Sequence, residues 1–162
     1  MKSAIFLAEL AACEKHAERL RWALHTLEVL RPLAPAKMVE LDEVTIAVLD
    51  QFSVRFAKLQ DAMGSKLLPG ILEITGEYGD LAAFIDKLNR LEKLGAIHSS
   101  ARWLELREMR NQFSHDYPED PAIQASLLNK GFLQAELLLE ELERVNAFAR
   151  RYLPPLPTTP PD

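Results

Sequence analysis

Residues 3–30 read SAIFLAELAACEKHAERLRWALHTLEVL, and within them Phe6, Leu10, Cys13, Ala17, Leu20, Leu24 and Leu27 recur at alternating steps of four and three. That spacing stacks apolar side chains on one stripe of an α-helix and is the seam of a helical bundle; a strand would need a period of two. The reading is a helix from about Ser3 to Leu30 that ends before Pro32, with the Pro32–Pro35 stretch as a turn. A helix with one apolar stripe must bury it against partners, so the rest of the chain has to supply more helices of the same kind.

It does. A second long helix carries Leu41, Thr45, Val48, Phe52, Phe56, Leu59 and Met63 inward and continues past Gly64 to a break at Pro69-Gly70. The Gly76–Gly79 region reads as loop. Asp80 is placed to cap a third helix that runs through Leu94, where Gly95 followed by Ala96-Ile97 fits a left-handed C-cap with its apolar latch. Ser99 or Ser100 caps a fourth helix bearing Trp103, Leu106, Met109 and Phe113, and Pro118 and Pro121 bracket a turn. The fifth helix sets Leu128, Phe132, Ala135, Leu139, Leu142, Val145 and Ala149 on one side, with Gly131 as its weak point. Residues 154–162 are proline-rich and cannot join a helix, which makes them a disordered or polyproline tail. No repeat and no strand pattern is found. The expectation is an all-α fold: one domain over residues 1–153, an up-and-down antiparallel bundle of about five helices with short connections.

Composition narrows the function classes. A chain of 162 residues, 48% apolar, can bury one core without staples. A single cysteine, Cys13, allows neither an internal disulfide nor a cysteine zinc cluster, and suits a reducing cytoplasm. Leu10-Ala11-Ala12-Cys13 resembles a lipoprotein cleavage box, but Glu9 interrupts a very short apolar run, so no lipid anchor is expected. No uncharged apolar stretch approaches the ~18 residues that span a bilayer. A net charge of −5 argues against a protein that coats nucleic acid. Its distribution is uneven: six Lys/Arg stand against four Asp/Glu between Asp86 and Arg110, whereas Glu136, Glu140, Glu141 and Glu143 crowd the last helix. A small basic mouth on an acidic body suits a grip on a few phosphates. Leu91 to Ile97 resembles the end of a winged-helix recognition helix, but a helix follows where a wing would be needed, so no DNA partner is expected.

The chemistry concentrates in Arg110-Asn111-Gln112-Phe113-Ser114-His115-Asp116-Tyr117, which closes the fourth helix before Pro118. This octet resembles the R-x4-H-x-Y signature of the HEPN superfamily, in particular the HepT-like toxins of toxin–antitoxin pairs that are neutralised by a minimal nucleotidyltransferase. The resemblance is strongest over residues 101–153; the first two helices match only as long amphipathic helices. It implies a HEPN-like helical bundle, a homodimer with two motifs face to face, an RNA substrate, and a metal-independent endoribonuclease that uses no cofactor. It also implies that Tyr117 is the residue to which a cognate nucleotidyltransferase antitoxin attaches AMP (AMPylation).

Read from the residues, Asn111 and His115 lie four apart and above one another on a helix, with Arg107 one turn before Asn111. Arg110 is offset from His115 by about 140° at 100° per residue, so the pair meets on one phosphate only if the last turn loosens or a second subunit supplies the arginine. Imidazoles titrate near neutrality and can move the protons of a ribose 2′-hydroxyl and a leaving 5′-oxygen; a guanidinium can hold charge gathering on phosphate. Arg110 and His115 are the candidate catalytic pair, Asn111 orients His115 or a phosphate oxygen, and Arg107, Glu108 and Ser114 are auxiliary candidates. A structural role competes with this, since a histidine in a last helical turn is favoured by the helix dipole alone. A rival function is a non-catalytic, nucleotide-binding partner of a nucleotidyltransferase; a third is an all-helical interaction domain using its acidic last helix. His16, His25 and His98 lack matching carboxylates, so no metal site is expected, and Arg55 reads as a snorkelling edge residue beside Lys58 and Asp61.

Overall fold

The computed structural model describes residues 2–77, 79, 81, 83–115 and 119–155, and everything described is helix, turn or loop. The helices are α1 (Lys2–Thr26), a short α2 (Pro35–Val39), α3 (Glu43–Ala62), α4 (Leu68–Thr75), α5 (Phe84–Leu94), α6 (Ser100–Phe113) and α7 (Pro121–Ala149). Because a π-helical turn, Met63–Leu67, joins α3 to α4 without interruption, five rods and the single short α2 make up the all-α bundle among the described residues.

Contacts fix the directions. Along α1, Phe6 meets Gly70, Glu9 pairs with Lys66 and His16 meets Arg55, so α1 and the α3–α4 rod run antiparallel. Along α6, Trp103 lies against Gly64, Arg110 against Asp61 and Phe113 against Phe56 and Phe52, again antiparallel. Against α7, Arg102 faces Glu141 and Phe113 faces Gly131, a third reversal. The six seam positions of α1 and Leu27 just beyond it are buried, as are Val48, Phe52, Phe56, Leu59 and Met63 of the next rod and Trp103, Leu106 and Met109 of α6. One continuous core extends from Phe6 to Leu153. Cys13 lies inside it, fully buried, and burial pushes its thiol up to about 12, so it is neither acidic nor accessible.

Several boundaries differ from those expected. The α-helical part of α1 stops at Thr26, and a 3-10 turn, Glu28–Leu30, carries the chain on. Pro35 starts α2 as its first residue, where its missing N–H costs nothing. Asn129 of α7 holds the connection: its amide accepts from Leu33 N–H (2.7 Å) and donates to Leu33 C=O (2.8 Å). The helix does not break at Pro69-Gly70. In the π turn Leu68 N–H reaches five residues back to Met63 C=O, and this wider turn takes the preceding carbonyls away from the proline ring. Gly70 is there because α1 passes close: a Cβ would sit 2.9 Å from the Phe6 ring. The rod ends at Gly76, with φ +74°.

Asp80, the expected cap of α5, lies outside the described residues, and α5 starts later, at Phe84, with Ala83 before it and no side-chain cap. At the other end Gly95 is left-handed, as its sequence context implied. Ser99 is the cap of α6, its hydroxyl accepting from Arg102 N–H at 3.0 Å, while Ser100 N–H donates to Glu92. Asp120 caps α7 and Pro121 opens it. Gly131 is not a weak point of α7 but the seat of a ring: a Cβ there would stand 2.6 Å from Phe113 Cζ.

Candidate functional site

The last turn of α6 tightens where the motif needs it to change direction. Ser114 N–H donates to Asn111 C=O at 3.1 Å and His115 N–H to Gln112 C=O at 3.3 Å, three-residue bonds that end the α-helix at Phe113. Phe113 moors this end. Its ring packs edge-on against Phe56 (centroids 5.3 Å) and Phe52 (5.8 Å) of α3 and sits in the space that Gly131 leaves on α7. The side chains before and after it are thereby sent to different places.

Arg110 turns to α3. Its Nε and Nη2 each donate to one oxygen of Asp61 at 2.8 Å, a bidentate pair, and its Nη1 donates to Ser114 Oγ at 2.8 Å. The hydrogen bonds to Asp61 push Arg110 above the ordinary arginine range, so its charge is permanent. Three of its five N–H groups are thus used, and one remains on each terminal nitrogen. Ser114 returns its own proton to Arg110 C=O at 3.2 Å, which locks the arginine stem to the turn.

His115 stands exposed beyond the helix and borders a cleft of about 440 Å³. Asp50 and Ser53 of α3 and Gln124 of α7 supply its polar lining, and Leu41, Leu49 and Leu128 are among its apolar walls. Arg110 does not border this cleft. Within one chain the two motif residues therefore serve different places: the guanidinium is committed to Asp61, and His115 borders the cleft that Arg110 does not line. Asn111 is half-buried and its side chain has no hydrogen bond among the described residues. Glu108 is exposed. Arg107 is exposed too, its guanidinium 5.6 Å from the centroid of the Phe84 ring, and it borders a separate cavity shared with Asp61. Tyr117, with Asp116 and Pro118, lies outside the described residues.

Asp61 is the partner that sequence reasoning did not assign to Arg110. The two are 49 positions apart, and only the antiparallel pairing of α3 with α6 brings them together. Asp50 and Ser53, which line the cleft that His115 borders, were missed for the same reason. Arg55, at the edge of the inward stripe of α3, is half-buried: its Nη1 lies 3.1 Å from His16 Nδ1 of α1, and its Nε is buried without an acceptor among the described residues. Burial first, then the charges of Arg55 and Lys58, hold His16 below the ordinary histidine range, so it accepts from Arg55 as a neutral ring.

A pH dependence follows. The unfolded chain takes up a proton on His16 at about pH 6.5, while the folded chain resists until a lower pH. Below about pH 6.5 the unfolded state therefore binds more protons, so the contribution of His16 to stability is complete above that pH and is lost as pH falls through the depressed folded value. Urea midpoints measured between pH 7.5 and 5.5 are expected to decrease, and His16→Gln is expected to flatten this slope. An unchanged slope in that variant would assign the acid sensitivity to other groups.

Among the described residues no group of three or more His, Cys, Asp and Glu side chains could hold a metal ion, and no helix is long and apolar enough to cross a membrane. No family model, curated protein or solved structure matches the chain.

Proposed function

We propose that this chain is a HEPN-type, metal-independent endoribonuclease toxin that acts as a cytoplasmic homodimer and is neutralised by a cognate minimal nucleotidyltransferase. The observation that carries this reading is the pairing of residue types at the end of α6: an arginine fixed by a bidentate carboxylate, and five residues on an exposed histidine released from the helix beside a cleft. A permanent, pre-oriented cation and a free imidazole are the two groups that RNA transesterification requires. In the reaction one imidazole takes the 2′-hydroxyl proton, the 2′-oxygen attacks phosphorus, and the bond from phosphorus to the 5′-oxygen breaks. The imidazolium so formed returns that proton through solvent to the leaving oxygen, giving a 2′,3′-cyclic phosphate and a 5′-hydroxyl. The two unused N–H groups of Arg110 are available to the phosphate oxygens. Because Arg110 and His115 of one chain diverge around Phe113, the site is composite, each cleft combining motifs of both chains.

This geometry sets the test. The protein is expected to elute as a dimer and to cut single-stranded RNA in EDTA. Arg110→Ala and His115→Ala chains, each inactive alone, are expected to regain part of the activity when mixed and refolded, since each heterodimer keeps one intact Arg110–His115 pair. A monomer that cuts RNA would remove the composite site. Tyr117 of the motif is the proposed site of adenylylation, where an added phosphodiester would put negative charge two residues along the chain from His115 and repel the RNA phosphate. A second reading, a non-catalytic nucleotide-binding partner of a nucleotidyltransferase, is favoured by one observation: Asp61 already neutralises Arg110. Purified protein that binds nucleotide but leaves RNA intact would establish it.

A further inference from the structure

A second cavity, of about 470 Å³, opens on the far side of α6 from the His115 cleft, where α3, the π turn, α5 and α6 meet. At its floor is Gln60, only 4% exposed, whose amide has no hydrogen-bond partner among the described residues. Beside it is Trp103, 1% exposed, whose Nε1–H is buried without an acceptor among the described residues. The indole edge adjoining Nε1 and the Gln60 amide both face Gly64: a Cβ there would lie 3.3 Å from Trp103 Cζ2 and 3.9 Å from Gln60 Nε2. Buried polar groups are ordinarily satisfied, and the orphaned indole N–H, beside an amide that makes no hydrogen bond among the described residues, indicates a ligand that satisfies it. A π turn in a helix is also a frequent companion of binding sites, and Gly64 lies within this one.

The lining limits what that ligand is. Phe84, half-buried, offers flat aromatic surface, and the buried Trp103 offers the edge that carries its indole N–H. Gln60 offers an acceptor and donors side by side, the edge that reads the paired acceptor and amino group of a base. At the mouth stand Arg107, exposed, and the Arg110–Asp61 pair. Two arginines and one aspartate leave one net positive charge, enough for a single phosphate and poor for a polyphosphate.

We infer that this cavity binds one nucleoside monophosphate unit, its base against Gln60 and Trp103 and its phosphate on Arg107. Its source is either a free nucleotide or an unstacked residue of an RNA strand. The inference deepens the ribonuclease reading, for which it would be a base-recognition pocket, but binding here does not require cleavage.

The test uses the full chain carrying Trp22→Phe and His115→Ala, in which Trp103 is the only tryptophan and RNA is not consumed. The four nucleoside monophosphates, adenosine and a single-stranded RNA hexamer are titrated against Trp103 fluorescence. At least one monophosphate or the hexamer is expected to give a saturable change below about 1 mM. Saturation by a monophosphate assigns the free nucleotide as a source; saturation by the hexamer alone assigns RNA. Gln60→Leu is expected to weaken binding about tenfold or more, with circular dichroism reporting its fold. Arg107→Ala, an exposed change, is expected to weaken the phosphorylated ligand about tenfold and to leave adenosine unaffected. No saturable change with any probe, or binding indifferent to both substitutions, would overturn the inference. Cleavage by wild type that is insensitive to Gln60→Leu would overturn the pocket's role in RNA recognition alone, whereas binding without any cleavage would remove the ribonuclease reading and keep the pocket.

Discussion

His115→Ala is expected to reduce RNA cleavage by about 10²–10⁴-fold, the usual contribution of a general acid–base, with little change in stability. The second half of that expectation comes from the structure. His115 is exposed, and its backbone N–H, which bonds to Gln112, survives the substitution. The dipole of α6 favours a cation near its end by only about 0.3–1 kcal/mol, so removing the ring touches no core contact. If His115 were merely a helix-terminating residue, the effects would be reversed: a small loss of stability and unchanged cleavage. The measurement is RNA cleavage in EDTA beside a urea midpoint for the same preparation, and a His115→Ala protein that still cuts at the wild-type rate would refute the catalytic assignment. Asp50 sharpens the test. It borders the same cleft from α3, and Asp50→Asn, at an exposed position, is expected to change the rate of cleavage while leaving the fold intact.

How much of this was legible beforehand depended on whether the information was local. The seam of α1 was readable because one helix writes its buried face at a fixed period, and Gly95 and Ser99 were readable because caps are decided within a few residues. The path through Pro69 was not. Whether a proline breaks a helix depends on the width of the turn before it, and the π turn is stabilised by packing of Met63 and Leu67 in the core, a tertiary effect. Gly131 was misread for the same reason: propensity marks glycine as weak in a helix, and only the approach of Phe113 from α6 shows what its missing Cβ is for. At the site, the motif and its local turn were visible in the octet, and so was the angular conflict between Arg110 and His115. Their partners were not, because Asp61, Asp50 and Ser53 enter through the antiparallel register of α3 against α6 and against the His115 cleft.

Phe113→Ala is expected to cost about 3 kcal/mol in urea unfolding, near the lower end for a phenylalanine truncation because the ring is only partly buried. The loss combines the edge-on contacts to Phe52 and Phe56 with the void left over Gly131. Cleavage by the folded variant is expected to fall as well, by up to roughly a hundredfold, since displacement of a catalytic group by about 1 Å has that effect and Phe113 is the anchor between Arg110 and His115. Gly131→Ala approaches the same contact from the other side. Helix propensity favours it by about 1 kcal/mol, yet its methyl carbon would stand 2.6 Å from Phe113 Cζ, so the ring must leave its seat. Net destabilisation of about 1–3 kcal/mol is the expected result of such overpacking. The two changes should not add: once the ring is gone, Gly131→Ala meets no obstacle, and the double variant should be no less stable than Phe113→Ala alone. Additive losses would mean that Phe113 is not seated on Gly131 in solution. The mooring that separates Arg110 from His115, and with it the argument for a site composed from two chains, would then have to be abandoned.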